Sequence, residues 1–97
     1  MRLRVTSKAF SDVETAMDYY SREASDKIAD EFYDEFQRCC DILVTFARSY
    51  PVVRRAVRRI NFRRFPFHIL YKIVDEREVR ILVVKHDRRD PDFGLDR

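Results

Sequence analysis

The hydrophobic spacing changes period at Pro51, and no other feature constrains the fold of this chain as strongly. Before Pro51, apolar residues recur every three or four positions, as on a helix face. After it they gather in short β-branched and aromatic runs, as in strands. Phe10, Val13, Met17 and Tyr20 define a first helix. Ser11-Asp12-Val13-Glu14 reads as a capping box near its start, with a helical turn allowed before Ser11, and the helix ends near Ala24. Ser25 and Asp26 cap a second helix whose apolar stripe is Ile28, Phe32, Cys39, Ile42 and Phe46, with Phe36 and Leu43 beside it, and Pro51 ends it.

Residues 57–62, 67–74 and 79–84 read as three consecutive antiparallel strands, separated by Arg63-Arg64-Phe65-Pro66 and Asp75-Glu76-Arg77-Glu78. Residues 2–6 alternate charged and apolar side chains, which adds an opening strand. Residues 87–97, with Pro91 and Gly94 and no apolar period, read as a loop or a single turn. The order β-α-α-β-β-β predicts an α+β domain in which a helical hairpin packs on one face of a twisted, mainly antiparallel sheet, leaving the other face or an edge open to a partner. Which face takes His68, Lys72 and His86 depends on the turn at 75–78, because a shift of one residue swaps sides.

Ninety-seven residues make one domain, 1–97, since a division would leave two pieces too small to bury a core. No run approaches the roughly 20 apolar residues of a membrane helix, and Met1-Arg2-Leu3-Arg4-Val5 leads into polar sequence rather than a secretory apolar core, so a cytoplasmic protein is expected. Cys39 and Cys40 are adjacent on a helix and diverge by roughly 100°, which argues against a disulfide or a metal site and leaves one of them buried. Asp30, Glu31, Asp34 and Glu35 are expected on the solvated face of the second helix, in the half that its dipole favours for acids.

Charge is unevenly placed. Residues 1–50 hold seven Lys/Arg against ten Asp/Glu, and residues 51–97 hold thirteen against seven. Arg54, Arg55, Arg58, Arg59, Arg63, Arg64 and Lys72 form an acid-free basic run suited to nucleic acid or to an acidic protein segment. Sixteen of the twenty basic residues are arginine, whose planar fork pairs with phosphate or carboxylate in bidentate fashion. Tyr71, between Ile69 and Ile73, reads as a core tyrosine. Arg88-Arg89-Asp90-Pro91 reads either as a target-contacting arm or as a salt-bridged tail.

Three stretches taken together, Val57-Arg58-Arg59, Arg63-Arg64-Phe65-Pro66-Phe67-His68-Ile69-Leu70-Tyr71 and Val83-Val84-Lys85-His86-Asp87-Arg88-Arg89-Asp90-Pro91, resemble the RelE/ParE toxin family. They are closer to its ParE-like branch, where an Arg-Arg-Phe-Pro-Tyr strand and a Val-x-His-x-Arg-Arg-Asp-Pro ending recur. The resemblance spans essentially the whole chain and implies the toxin of a type II toxin–antitoxin system, of the kind tied to plasmid stabilization and growth inhibition. It also implies a cognate antitoxin that wraps and neutralises the toxin, and neither metal nor cofactor.

Family members differ in target. RelE-like toxins cut messenger RNA on the ribosome, whereas ParE-like toxins poison DNA gyrase. RNA cleavage needs a base, an acid and cations on the phosphate. RelE-like nucleases draw these from paired lysines on the second strand, an arginine on the third, and an arginine and a tyrosine near the C-terminus. Here Arg59-Ile60-Asn61 stands where the lysines would be, His68 takes the third-strand position, Arg88 keeps its counterpart, and the tyrosine is missing, with Phe93 nearby. Arginine stays protonated and is a poor general base.

The leading expectation is therefore a binder of gyrase or a similar target. Its target or antitoxin contacts are drawn from Arg58, Arg59, Arg63, Arg64, Arg88, Arg89 and Phe93. The alternative is a metal-independent endoribonuclease acting on ribosome-bound or free mRNA through His68, His86, Arg64 and Arg88. A second alternative is a partner-binding module without toxicity.

Overall fold

Thr6 decides where the first helix begins. In a computed structural model describing residues 1–97, strand β1 (Arg2–Val5) runs parallel to a later strand, and the Thr6 amide donates to the Ile81 carbonyl at 3.2 Å. The chain leaves the sheet there, and the Thr6 side chain caps α1 (Ser7–Glu23) by accepting from the Ala9 amide at 3.1 Å. The capping box expected at Ser11 is thus corrected: Ser11 lies inside the helix, because the end of β1 fixes the N-cap at Thr6, five residues earlier. Phe10, taken above as the head of the apolar stripe, is 44% exposed, whereas Ala9, Val13 and Ala16 face the core. Ala9 and Ala16 carry little periodic signal, yet with Val13 they make the buried face.

Helix α2 (Asp26–Phe46) starts where expected, with Ser25 accepting from the Ile28 amide at 3.1 Å, and a 3-10 turn (Ala47–Ser49) separates its end from Pro51. Two expectations about α2 are corrected. Both cysteines are buried, not one, and burial raises the thiol pKa to about 11 at Cys39 and about 12 at Cys40, which keeps them protonated and unreactive. Glu35 is not a solvated acid: it is 7% exposed and accepts from the backbone amides of Arg63 at 2.6 Å and Arg64 at 3.2 Å and from Arg38 Nε.

Strands β2 (Val52–Arg54), β3 (Val57–Asn61), β4 (Phe67–Ile73) and β5 (Glu78–His86) complete one sheet in the order β1-β5-β4-β3-β2, antiparallel except for β1 with β5. The edge strand β2 was not expected. Its three residues are all exposed and are joined to β3 through Arg55 at φ 51°, so it is too short to display a period. The helical hairpin covers one face, where Phe32 meets Phe62, Phe65 and Phe67 at ring-centroid distances of 5.1, 5.2 and 4.9 Å. Burial of one such ring contributes about 2–3 kcal/mol. Tyr71 is fully buried on this side and donates its hydroxyl to the Ala47 carbonyl at 2.7 Å, tying sheet to helix end.

A bulge decides the faces of β5. Leu70 pairs with Val83 and Tyr71 with Ile81, so Leu82 is an extra residue. Val79, Ile81 and Val84 face the helices, while Leu82 and Val83 join Val57 and Leu70 in a smaller cluster on the opposite, open face. The C-terminal segment crosses that face as turns and lays Phe93 and Leu95 on the cluster. Lys85, 5% exposed, holds the segment down by donating from Nζ to the carbonyls of Asp90, Pro91 and Phe93 at 3.1, 2.9 and 3.3 Å. Arg97 pairs with Asp12 at 2.7 Å and also donates to the Leu82 carbonyl at 3.1 Å.

Gly94 makes the crossing feasible. Its φ is +81°, and a Cβ there would sit 2.4 Å from a Val83 methyl. Gly94→Ala is expected to cost about 1–3 kcal/mol through left-handed strain and the clash, read as a drop in urea midpoint. A midpoint equal to that of the parent would show that the segment is not docked in solution.

Candidate binding face and histidine site

Alternation along β4, with Ile69 and Tyr71 on the helix side, puts His68 on the open face, and the extra residue at Leu82 turns His86 to the helix side. His68 pairs with Lys85 and shares the open face with it, whereas His86 pairs with Phe67 and shares the helix-side face. The two histidines are therefore on opposite sides of the sheet and cannot serve one reacting group as acid and base.

His68 is 3% exposed, and its Nδ1 lies 2.8 Å from Asp87 Oδ1. An ionised carboxylate only accepts, so Nδ1 carries the proton and Nε2 is left as the acceptor. Burial lowers the His68 pKa and outweighs the hydrogen bond to Asp87, which acts to raise it, so the ring is neutral near pH 7. Arg59 reaches Asp87 at 3.5 Å and holds the Asn61 side-chain oxygen at 2.7 Å. Arg54, Arg59, Lys85 and Arg89 line the cleft of about 220 Å³ that His68 borders.

On the helix side, His86 stacks edge-on against Phe67 at 5.2 Å, and its Nδ1 accepts from the Arg88 amide at 3.0 Å. It borders a groove of about 580 Å³ lined by Tyr19, Tyr20, Phe67 and Val84 and, reaching round the β5 edge toward the open face, by Asp12, Lys85, Arg89 and Phe93.

The expected arginines divide by what they already hold. Arg58 is occupied, donating to the carbonyls of Arg48 at 3.2 Å and Tyr50 at 2.7 Å on the helix side. Arg64 pairs with Glu31 at 3.2 Å while staying largely exposed, and Arg63 is exposed with no ion pair. Arg88 is exposed with no carboxylate in reach, and the Arg89 guanidinium lies 4.1 Å from the Phe93 ring centroid, so an exposed basic pair stands just past the end of β5. Arg64 is held by Glu31 of α2 and lines neither histidine's cleft, and Arg88 lines neither, so the structure does not gather His68, His86, Arg64 and Arg88 in one place.

Four residues that the sequence reading passed over shape this region: Lys85 and Arg97 fix the tail, Asp87 orients His68, and Asp12 accepts from the Val84 amide at 3.1 Å as well as from Arg97. The pairing of Asp12 with Arg97 spans most of the chain, and no local spacing signals it.

The family model for the ParE toxin of type II toxin–antitoxin systems, parDE, matches residues 3–91. This chain belongs to the ParE toxin family. Its fold is similar to a chain of the chromosomal ParDE toxin–antitoxin system from P. aeruginosa, with a TM-score of 0.79 and 22% identity over 89% of this chain and 95% of that one. No curated protein matches by sequence. The ParE match takes in Arg88, Arg89 and the tail-holding Lys85 and stops before Phe93, so the apolar residues Phe93 and Leu95 that rest on the sheet lie past it. No helix of this ParE-like toxin is long and apolar enough to cross a membrane.

The His68 environment predicts a pH response. Its folded pKa lies below the ordinary 6.5, so between those two values the unfolded chain binds a proton that the folded chain refuses. Stability therefore falls as pH drops from about 6.5 to the folded value and levels off below it. His68→Gln should flatten this part of the profile, checked by urea midpoints at half-unit steps from pH 7.5 to 5. An unchanged slope in the variant would place the response on another group.

Proposed function

We propose that this ParE-like toxin acts by binding rather than by bond cleavage, engaging DNA gyrase through the basic arm past β5 and the adjoining Arg-rich sheet while an antitoxin holds it in check. The observation that supports this most is the separation of the two histidines by the sheet, with exposed Arg88 and Arg89 at its end. Arginine is prominent among residues that dominate protein interfaces, and a pair extending past a strand can reach a target surface. The groove lined by Tyr19, Tyr20, Phe67 and Phe93, with Lys85 and Arg89 also among its lining residues, suits an apolar segment carrying acidic residues, the chemistry expected of the antitoxin. Such a segment, disordered alone, would order on binding.

One observation favours endoribonuclease activity as the second reading. Asp87 and His68 form an oriented carboxylate–imidazole pair beside Arg59 and Arg89, and a neutral imidazole with a free Nε2 is configured as a general base. Induced expression without antitoxin separates the readings. Filamentation with double-strand DNA breaks supports gyrase poisoning, and rapid translation arrest with cut messages supports the nuclease. Normal growth means a partner-binding module that is not toxic.

A further inference from the structure

At the other end of the open face from His68, the strand register aligns cations. Arg4 of β1 pairs with Arg80 of β5, and Arg80 with Lys72 of β4, so the three lie side by side on one row. Their neighbours along each strand, Leu3 and Val5, Val79 and Ile81, Tyr71 and Ile73, face the helices, which places the row on the open side. Like charges directly opposite across strands cost stability. Arg4 and Lys72 have no ion-pair partner, and Arg80 has one, Glu78 at 3.0 Å. Arg80 Nε is shielded from solvent and has no hydrogen-bond partner. Lys72 also borders a depression of about 420 Å³ with Arg54 and Arg55, where Asp92 and Asp96 are the acids and Asp92 is paired with Arg54 at 2.5 Å.

We infer that the Arg4–Arg80–Lys72 row binds a phosphodiester backbone, so that the toxin grips nucleic acid through this face independently of the Arg88–Arg89 arm. With strands about 4.8 Å apart, the row runs about 10 Å, and duplex DNA presents one negative charge per about 1.7 Å of axis. Arginine forks and a lysine without apolar sockets between them suit phosphates. An acidic protein segment with apolar anchors would find its sockets instead in the groove of Tyr19, Tyr20 and Phe67.

The test is fluorescence anisotropy of the full-length free toxin with a labelled 20-base-pair DNA duplex and a labelled single-stranded RNA, over a salt series. The variant is Arg4→Gln with Lys72→Gln. The control is Lys8→Gln with Lys27→Gln, which removes the same charge from exposed helix positions. For at least one of the two nucleic acids, the row variant is expected to lower affinity roughly tenfold or more near 0.1 M salt and to reduce the slope of log K against log salt by about two, while the control leaves both unchanged. Which probe responds identifies the source of the phosphates. Parent-like binding by the row variant, or equal losses in row variant and control, would overturn the inference. So would tighter binding of a poly-glutamate peptide than of either nucleic acid, with the row variant losing it. Growth inhibition scored in parallel reads the gyrase proposal separately.

Discussion

Reversing Arg88 and Arg89 to glutamate is expected to abolish growth inhibition. Arg88 is exposed without an ion pair and Arg89 is exposed and stacks on Phe93, so the fold draws little from either charge. Arginines that act as interface hot spots contribute about 2 kcal/mol or more each, and reversal adds repulsion to that loss, so with both in that role the expected fall in target affinity is about a thousandfold or more. Colony counts after induction measure it, with circular dichroism showing that the variant folds. His68→Gln and His86→Gln should stay toxic, because an amide retains hydrogen bonding but moves no proton near neutral pH. Folded glutamine variants without toxicity, beside a toxic Arg88–Arg89 reversal, would move the function to the Asp87–His68 pair.

The largest stability effect is expected at Glu35. Its carboxylate holds the amides of Arg63 and Arg64 and the Arg38 side chain, so it organises the turn that enters β4. Glu35→Ala leaves two backbone donors and a partly buried guanidinium without their acceptor, at an expected cost of about 3–5 kcal/mol. Domains of this kind have about 5–15 kcal/mol in total, so the variant should be marginal at 37 °C.

Acid should reproduce part of the effect. Burial pushes the Glu35 carboxyl up, but the hydrogen bonds from Arg38 and from the Arg63 and Arg64 amides outweigh it and hold the pKa below the ordinary 4.5. Its contribution is therefore complete above about 4.5 and is lost as pH falls through the lower folded value. Urea unfolding at pH 7 and at pH 3 checks both points; a Glu35→Ala loss under 1 kcal/mol would contradict the role given to this carboxylate.

Element type and order were legible wherever a long period or a capping residue spoke, as at Ser25 and in the three runs after Pro51. The start of α1 was misread because Thr6 acts through where β1 ends, and because Ala9 and Ala16 bury a face that hydrophobicity alone does not mark. Strand β2 offered three residues and no pattern. The site was less legible than the fold. The face of His86, and so its separation from His68, turns on one extra residue at Leu82, inside an unbroken apolar run where bulged and regular strands look alike. Glu35 sat among four acids of equal appearance, and only the fold distinguishes the one beneath the Arg63–Arg64 turn. The family resemblance, by contrast, lay in contiguous motifs and was confirmed over residues 3–91.

Purified toxin incubated with purified DNA gyrase, supercoiled plasmid and ATP, then denatured and run on a gel, tests the proposed mode of action most directly. Binding without chemistry predicts linear plasmid that accumulates only when both proteins are present, with His68→Gln and His86→Gln toxins as effective as the parent and the Arg88–Arg89 reversal inactive. Gyrase left unaffected, together with RNA cut by the parent toxin but spared by His68→Gln, would contradict the account.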